Sequence, residues 1–163
     1  MIYVALGANV PSNVGPPVLT LRRAIEAMSA HGIVVQAQSG FYKTLAWPNP
    51  ADPAFVNAVI EVRTKLRPSE LLRALLSIEK AFGRVRKNKW EPRCLDLDLI
   101  DYGGLVSDDT HLMLPHPRAH ERNFVLKPLS SIAPHWRHPD TGELVGDLLK
   151  KIGEEGLSKL EAG

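Results

Sequence analysis

The chain has 163 residues and one cysteine, Cys94, so it is long enough to bury a core as a single domain over 1–163 and cannot form an internal disulfide. A net charge of only +2 excludes a surface that is basic overall and built to grip nucleic acid. No apolar run approaches the ~20 residues needed to cross a bilayer. The opening Met1-Ile2-Tyr3-Val4-Ala5-Leu6-Gly7 reads as a strand with no basic leader. A cytoplasmic protein is therefore expected, with no membrane partner.

A buried first strand is predicted over 2–6. Apolar residues at 21, 24, 25 and 28 give 19–30 the spacing of an amphipathic helix, ended by His31-Gly32. A strand follows over 33–42. Pro48, Pro50 and Pro53 make 45–54 a loop, and 55–62 alternates as a strand should. Pro68 opens the clearest helix, whose Leu71, Leu75, Ile78 and Phe82 share one face, and Gly83 is its expected stop. In 95–102, Leu95, Leu97 and Leu99 take one side of a strand while Asp96 and Asp98 take the other. Beyond this the chain is rich in proline, with one further helix expected near 144–152. The order predicts an α+β fold: a ferredoxin-like antiparallel sheet, helices packed on one face, and an irregular C-terminal extension.

The strongest chemical signal is Arg93-Cys94-Leu95-Asp96-Leu97-Asp98-Leu99-Ile100. Alternate residues of a strand project from one face, which places the two carboxylates roughly 6–7 Å apart. Hard oxygen ligands at that separation suit one or two Mg²⁺ ions whose shells are completed by phosphate oxygens. Aspartate is disfavoured in strands, so a pair of them is more than decoration. Just upstream stand Arg84, Arg86, Lys87, Lys89 and Arg93, opposed only by Glu91. By itself a basic run is a solvated loop; beside paired carboxylates it suits a polyphosphate carrying magnesium.

Other chemistries find less support. There is no GxxxxGK[ST] phosphate loop, and Gly7-Ala8-Asn9 is only a turn signal. His116 and His120 are four apart, but Pro115 and Pro117 work against a regular helix carrying both to a zinc ion. Cys94 reads as filler.

Taken in order, the motifs resemble the 6-hydroxymethyl-7,8-dihydropterin pyrophosphokinase family of folate biosynthesis. The similarity runs through Tyr3-Val4-Ala5-Leu6-Gly7-Ala8-Asn9, Phe41-Tyr42-Lys43-Thr44, Phe55-Val56-Asn57-Ala58, Ile78-Glu79 and Gly83-Arg84-Val85-Arg86-Lys87. It continues in Trp90-Glu91-Pro92-Arg93-Cys94-Leu95-Asp96-Leu97-Asp98, Leu114-Pro115-His116-Pro117-Arg118 and Arg122-Asn123-Phe124-Val125-Leu126-Lys127-Pro128-Leu129. The resemblance implies a ferredoxin-like α+β domain that passes diphosphate from ATP to a reduced pterin alcohol and releases AMP. It implies two Mg²⁺ ions on Asp96 and Asp98, and Arg84 and Arg93 stabilising the transferred group. Nucleotide contacts would come from Glu79, Arg86, Lys87, Trp90, Arg93, Leu99, His116 and Arg122. The pterin would meet Thr44, Leu45, Phe55, Asn57 and Phe124. A monomer is expected. The chain departs from the family pattern at Glu91, at His111, at Phe55 and in the Pro-rich loop after Thr44.

Three alternatives stand beside this reading. A polymerase-type nucleotidyltransferase also carries Asp-x-Asp on a strand, but usually after a Gly-Ser turn. An RNA-binding module shares the sheet topology but needs surface aromatics that are absent here. A weakly active paralogue would keep the fold and lose turnover.

Overall fold

The computed structural model describes residues 1–44, 54–83 and 94–160. Its centre is strand β1, Ile2–Ala8, which pairs antiparallel with β4, Phe55–Thr64, on one side and with β5, Asp96–Tyr102, on the other. Beyond β4 lie β2, Ile33–Gln38, along one half of its length and β3, Tyr42–Thr44, along the other half. A last strand, β8 at Leu157–Lys159, pairs with β3. The expected strand over 33–42 is therefore two strands. The break falls at Ser39, whose N–H donates to the Val59 carbonyl while its hydroxyl accepts the Val59 N–H. One side chain thus replaces a rung of the ladder and lets the chain step sideways.

Two helices follow their sequence signals. The first, α1 (Pro17–Ala27), runs on through a 3₁₀ turn to His31. The second, α2 (Pro68–Ala81), begins with proline in its first turn, and the Glu70 carboxylate accepts the Arg67 N–H at 2.8 Å. It stops at Gly83, whose φ of +90° suits glycine alone. Both helices pack against Val4, Leu6, Ala8, Ala58, Ile60, Leu97 and Leu99.

The opposite face of the sheet is covered as well, which corrects the expectation of helices on one face. Tyr3, Ala5, Val59 and Ile100, the alternate residues of the same strands, pack against α3 (Asn123–Ile132) and α4 (Val145–Ile152). A central strand apolar at every position cannot leave either side in water. The C-terminal third is accordingly more ordered than expected, with α3, α4, β8 and a small hairpin of β6 (Ser107–Asp109) and β7 (Leu112–Leu114). Pro128 lies inside α3 and had masked its helical pattern. Among the described residues, no helix is long and apolar enough to cross a membrane.

Candidate active site

Strand register assembles the site. Gly7 of β1 is flanked by Asn57 of β4 on one side and by Asp96 of β5 on the other. Two residues along, on the same face, Ala5 lies between Val59 and Asp98. Across β4, Asn57 faces Tyr42 and Phe55 faces Thr44. Directly opposed residues of a sheet share a face, so Thr44, Phe55, Asn57, Asp96 and Asp98 all lie on the side covered further along by α3. Asn57 and Asp96 are two strands apart, about 10 Å, and Gly7, between them in the sheet, carries no side chain. Gly7 is the floor of that gap. A Cβ placed on it would come 3.2 Å from Asn57 Oδ1 and 4.0 Å from the Phe55 ring.

On the β4 side, Thr44 and Asn57 are buried, and Asn57 Nδ2 donates to the Thr44 hydroxyl at 3.2 Å. Phe124, at the start of α3, is half-buried against the second core. The Arg122 guanidinium lies over the Phe124 ring, 5.7 Å from its centroid.

On the carboxylate side, Asp96 and Asp98 are partly exposed while Leu97 and Leu99 are buried, the alternation the sequence predicts. Asp98 is met by two groups from the segment leading into α3: Arg122 Nη1 at 3.9 Å and His116 Nε2 at 4.0 Å. Burial, with the Arg122 and Arg118 charges acting in the same sense against Asp96, pulls the His116 pKa down to about 4. The imidazole is therefore neutral near pH 7. Its Nδ1 accepts the Arg118 N–H at 3.2 Å, so the ring proton sits on Nε2, the nitrogen that faces Asp98.

Not every expected residue reaches this face. Leu99 packs in the core under α1 and α2, and Glu79 is buried on α2 with its Oε2 accepting the Leu97 N–H at 2.7 Å. Arg84, Arg86, Lys87, Trp90, Arg93 and Leu45 lie outside the described residues, as does Glu91. The chain leaves the described region at Gly83 and re-enters at Cys94, whose thiol donates to the Phe82 carbonyl at 3.4 Å. His111 is exposed in the β6–β7 turn, its N–H bonded to Asp109. Gly7 is the residue that sequence reasoning undervalued. Its only local signal was a glycine at the end of an apolar strand, and its role depends on what β4 and β5 place beside it.

The sequence model of the 7,8-dihydro-6-hydroxymethylpterin-pyrophosphokinase (HPPK) family matches residues 3–134. The chain belongs to the HPPK family. Its relatives include the 2-amino-4-hydroxy-6-hydroxymethyldihydropteridine pyrophosphokinase of Methylorubrum extorquens, 40% identical over 98% of both chains. That of Synechocystis sp. is 41% identical over 91% of this chain and 74% of its own. The fold is that of the HPPK-DHPS protein of Plasmodium falciparum, with a TM-score of 0.72 at 12% identity over 97% of this chain. The chain spans about half the length of that protein, 47% of it. HPPK membership gives the chain the pterin pyrophosphokinase role in folate biosynthesis and does not favour the polymerase-type alternative.

Proposed function

We propose that this chain transfers diphosphate from ATP to the hydroxymethyl oxygen of 6-hydroxymethyl-7,8-dihydropterin, releasing AMP, with Mg²⁺ held by Asp96 and Asp98. The observation that carries this reading is the row Asn57–Gly7–Asp96. It puts an amide that can read a heterocycle edge and a carboxylate that can hold metal on either side of a glycine floor.

The donor set fits magnesium. Two hard carboxylates stand on one strand face, the Asp98 side chain about one-third exposed (32%). Among the described residues, no cluster of three His, Cys, Asp or Glu side chains could hold a metal ion. Most of the shell is thereby left to phosphate and water, as Mg²⁺ prefers. Bound there, the ions supply charge neutralisation on the polyphosphate and a lowered pKa for the attacking alcohol.

The residues of the chain do the rest. Asn57 and Thr44 offer donors and acceptors to the polar edge of the pterin, and Phe55 and Phe124 offer it aromatic faces. Neutral His116 donates from Nε2 to a phosphate oxygen, and Arg122 turns between Asp98 and the same phosphates. Arg84 and Arg93 meet the charge that develops on the transferred group, with Arg86, Lys87 and Trp90 on the nucleotide. Leu99, within β5, and Glu79, on α2 with its carboxylate on the Leu97 N–H, are the remaining nucleotide contacts of this reading. The hydroxymethyl oxygen attacks the β-phosphorus as the bond to the α-phosphate oxygen breaks. The products are the pterin diphosphate, AMP and a proton. Positioning and charge are all that such a transfer asks of the protein. The order β5-β1-β4-β2, with α1 and α2 on one face, supports reading that half of the chain as ferredoxin-like.

The test is to incubate the protein with ATP, Mg²⁺ and the reduced hydroxymethylpterin and to follow AMP. AMP should appear only when pterin and Mg²⁺ are both present. Release of ADP, or AMP formed equally without pterin, would defeat the proposal.

A further inference from the structure

Among the described residues, strand β5 ends the sheet, so one of its edges has no neighbouring strand there. Backbone groups on such an edge need other partners. Two are supplied here. The Ile100 carbonyl accepts the His116 N–H at 2.9 Å, and the Leu97 N–H donates to Glu79 Oε2 at 2.7 Å. Leu97 is the residue between Asp96 and Asp98. Glu79 stands in the last turn of α2, only 3% exposed, on a helix anchored by Leu71, Leu75 and Ile78.

We propose that Glu79 is a positioning residue for the paired aspartates: its buried carboxylate fixes the Leu97 backbone and so sets the spacing and direction of Asp96 and Asp98. The proposal rests on reading those two residues as the metal ligands. A carboxylate is a costly thing to bury beside leucines, and an apolar residue would fill the same space more cheaply. What an apolar residue cannot do is accept an amide. At 2.7 Å the Leu97 amide bond is at the short end of the range for such bonds. It acts here against the mutual repulsion of Asp96 and Asp98, which would otherwise push an edge strand out of shape when no cation is present. The rigidity of α2 is thus passed to the two side chains through one backbone amide.

Two measurements test this on the intact protein. Exchange of the Leu97 amide in metal-free protein reports the bond itself, and the Mg²⁺ concentration giving half-maximal AMP formation reports its consequence. In E79L the amide should exchange at least tenfold faster and the Mg²⁺ half-saturation should rise at least tenfold, with the pterin KM changed less than twofold. E79Q keeps an oxygen acceptor of the same reach and should rescue both readouts to within about threefold. E79D keeps the charge but shortens the side chain, and should behave like E79L. If E79L does not fold, the E79Q and E79D pair decides. A folded E79L with wild-type exchange and Mg²⁺ dependence would overturn the proposal, as would E79D outperforming E79Q, which would mean that charge rather than reach matters. D96A separates the two levels: normal Mg²⁺ dependence in D96A would remove the metal reading whatever the Leu97 amide does.

Discussion

Gly7 and Asn57 are opposed across β1 and β4, and the Asn57 carboxamide occupies the space that a side chain on residue 7 would take. The contact is tight without being impossible, because a Cβ at 3.2 Å demands a shift of a few tenths of an ångström from a buried amide already bonded to Thr44. Gly7→Ala is therefore expected to fold, at a cost of about 1–2 kcal/mol. It should raise the pterin KM about tenfold while the ATP KM changes less than twofold. Steady-state kinetics with each substrate varied in turn would check this, and an effect confined to ATP would contradict it.

Replacing Asp96 or Asp98 with alanine should lower turnover by at least 10³-fold, on the view that metal-held charge neutralisation contributes several kcal/mol. Stability should hardly move. Both side chains are partly exposed, and the like-charge repulsion relieved between them is set against the partners each loses, Arg122 and His116 among those of Asp98. Exposed ion pairs contribute about 0–1 kcal/mol. Thermal melts of metal-free protein should agree with wild type within a few degrees. A variant with near-normal turnover at saturating Mg²⁺ would refute the assignment.

The second core gives a pH dependence whose sign can be worked out. His138 is buried; its Nδ1 accepts the Asp140 and Thr141 N–H groups, and its ring packs edge-on against His120 and Trp136. Burial, and after it the neighbouring His120, lowers its pKa despite Asp140, Glu143 and Asp101 nearby. The unfolded chain then binds a proton more readily than the folded one as pH falls through about 6.5. Stability contributed by neutral His138 is full above that pH and is lost progressively below it, down to the lowered folded pKa. His138→Asn keeps an acceptor for the two amides and removes the titration. Its melting temperature should start lower than wild type at pH 8 and the gap should narrow by pH 5.5. A constant gap would exclude His138 as a source of acid sensitivity.

Strand β8 covers the edge of β3 beside Thr44, tied down by Lys127 to Glu154 at 2.8 Å and by Asn123 Nδ2 to the Gly153 and Glu155 carbonyls. Removing residues 154–163 would strip several hydrogen bonds worth about 1 kcal/mol each. A loss of about 2–3 kcal/mol in denaturant unfolding is expected, together with a higher pterin KM as Thr44 loosens. An unchanged KM would show that β3 is held by β4 alone.

Much of this molecule was open to local reading. Alternation alone puts Asp96 and Asp98 on the face opposite Leu97 and Leu99, and Pro68 and Gly83 bracket α2 because proline and glycine act on their own backbone. Those are properties of neighbours along the chain. The sequence blocks also carried the family, which the matches to residues 3–134 and to full-length relatives bear out. Register and coverage were another matter. That Gly7 lies between Asn57 and Asp96, that Glu79 reaches the Leu97 amide, and that α3 closes the second face are relations between residues 18 to 120 positions apart. None leaves a periodic trace. The continuous burial of β1 showed that both faces needed a cover, but not what supplied it, and Pro128 hid the helix that did. Side-chain period is dictated by backbone geometry within a strand. Which strands meet, and at which residue, is decided only when the whole sheet finds the pairing that buries both of its faces.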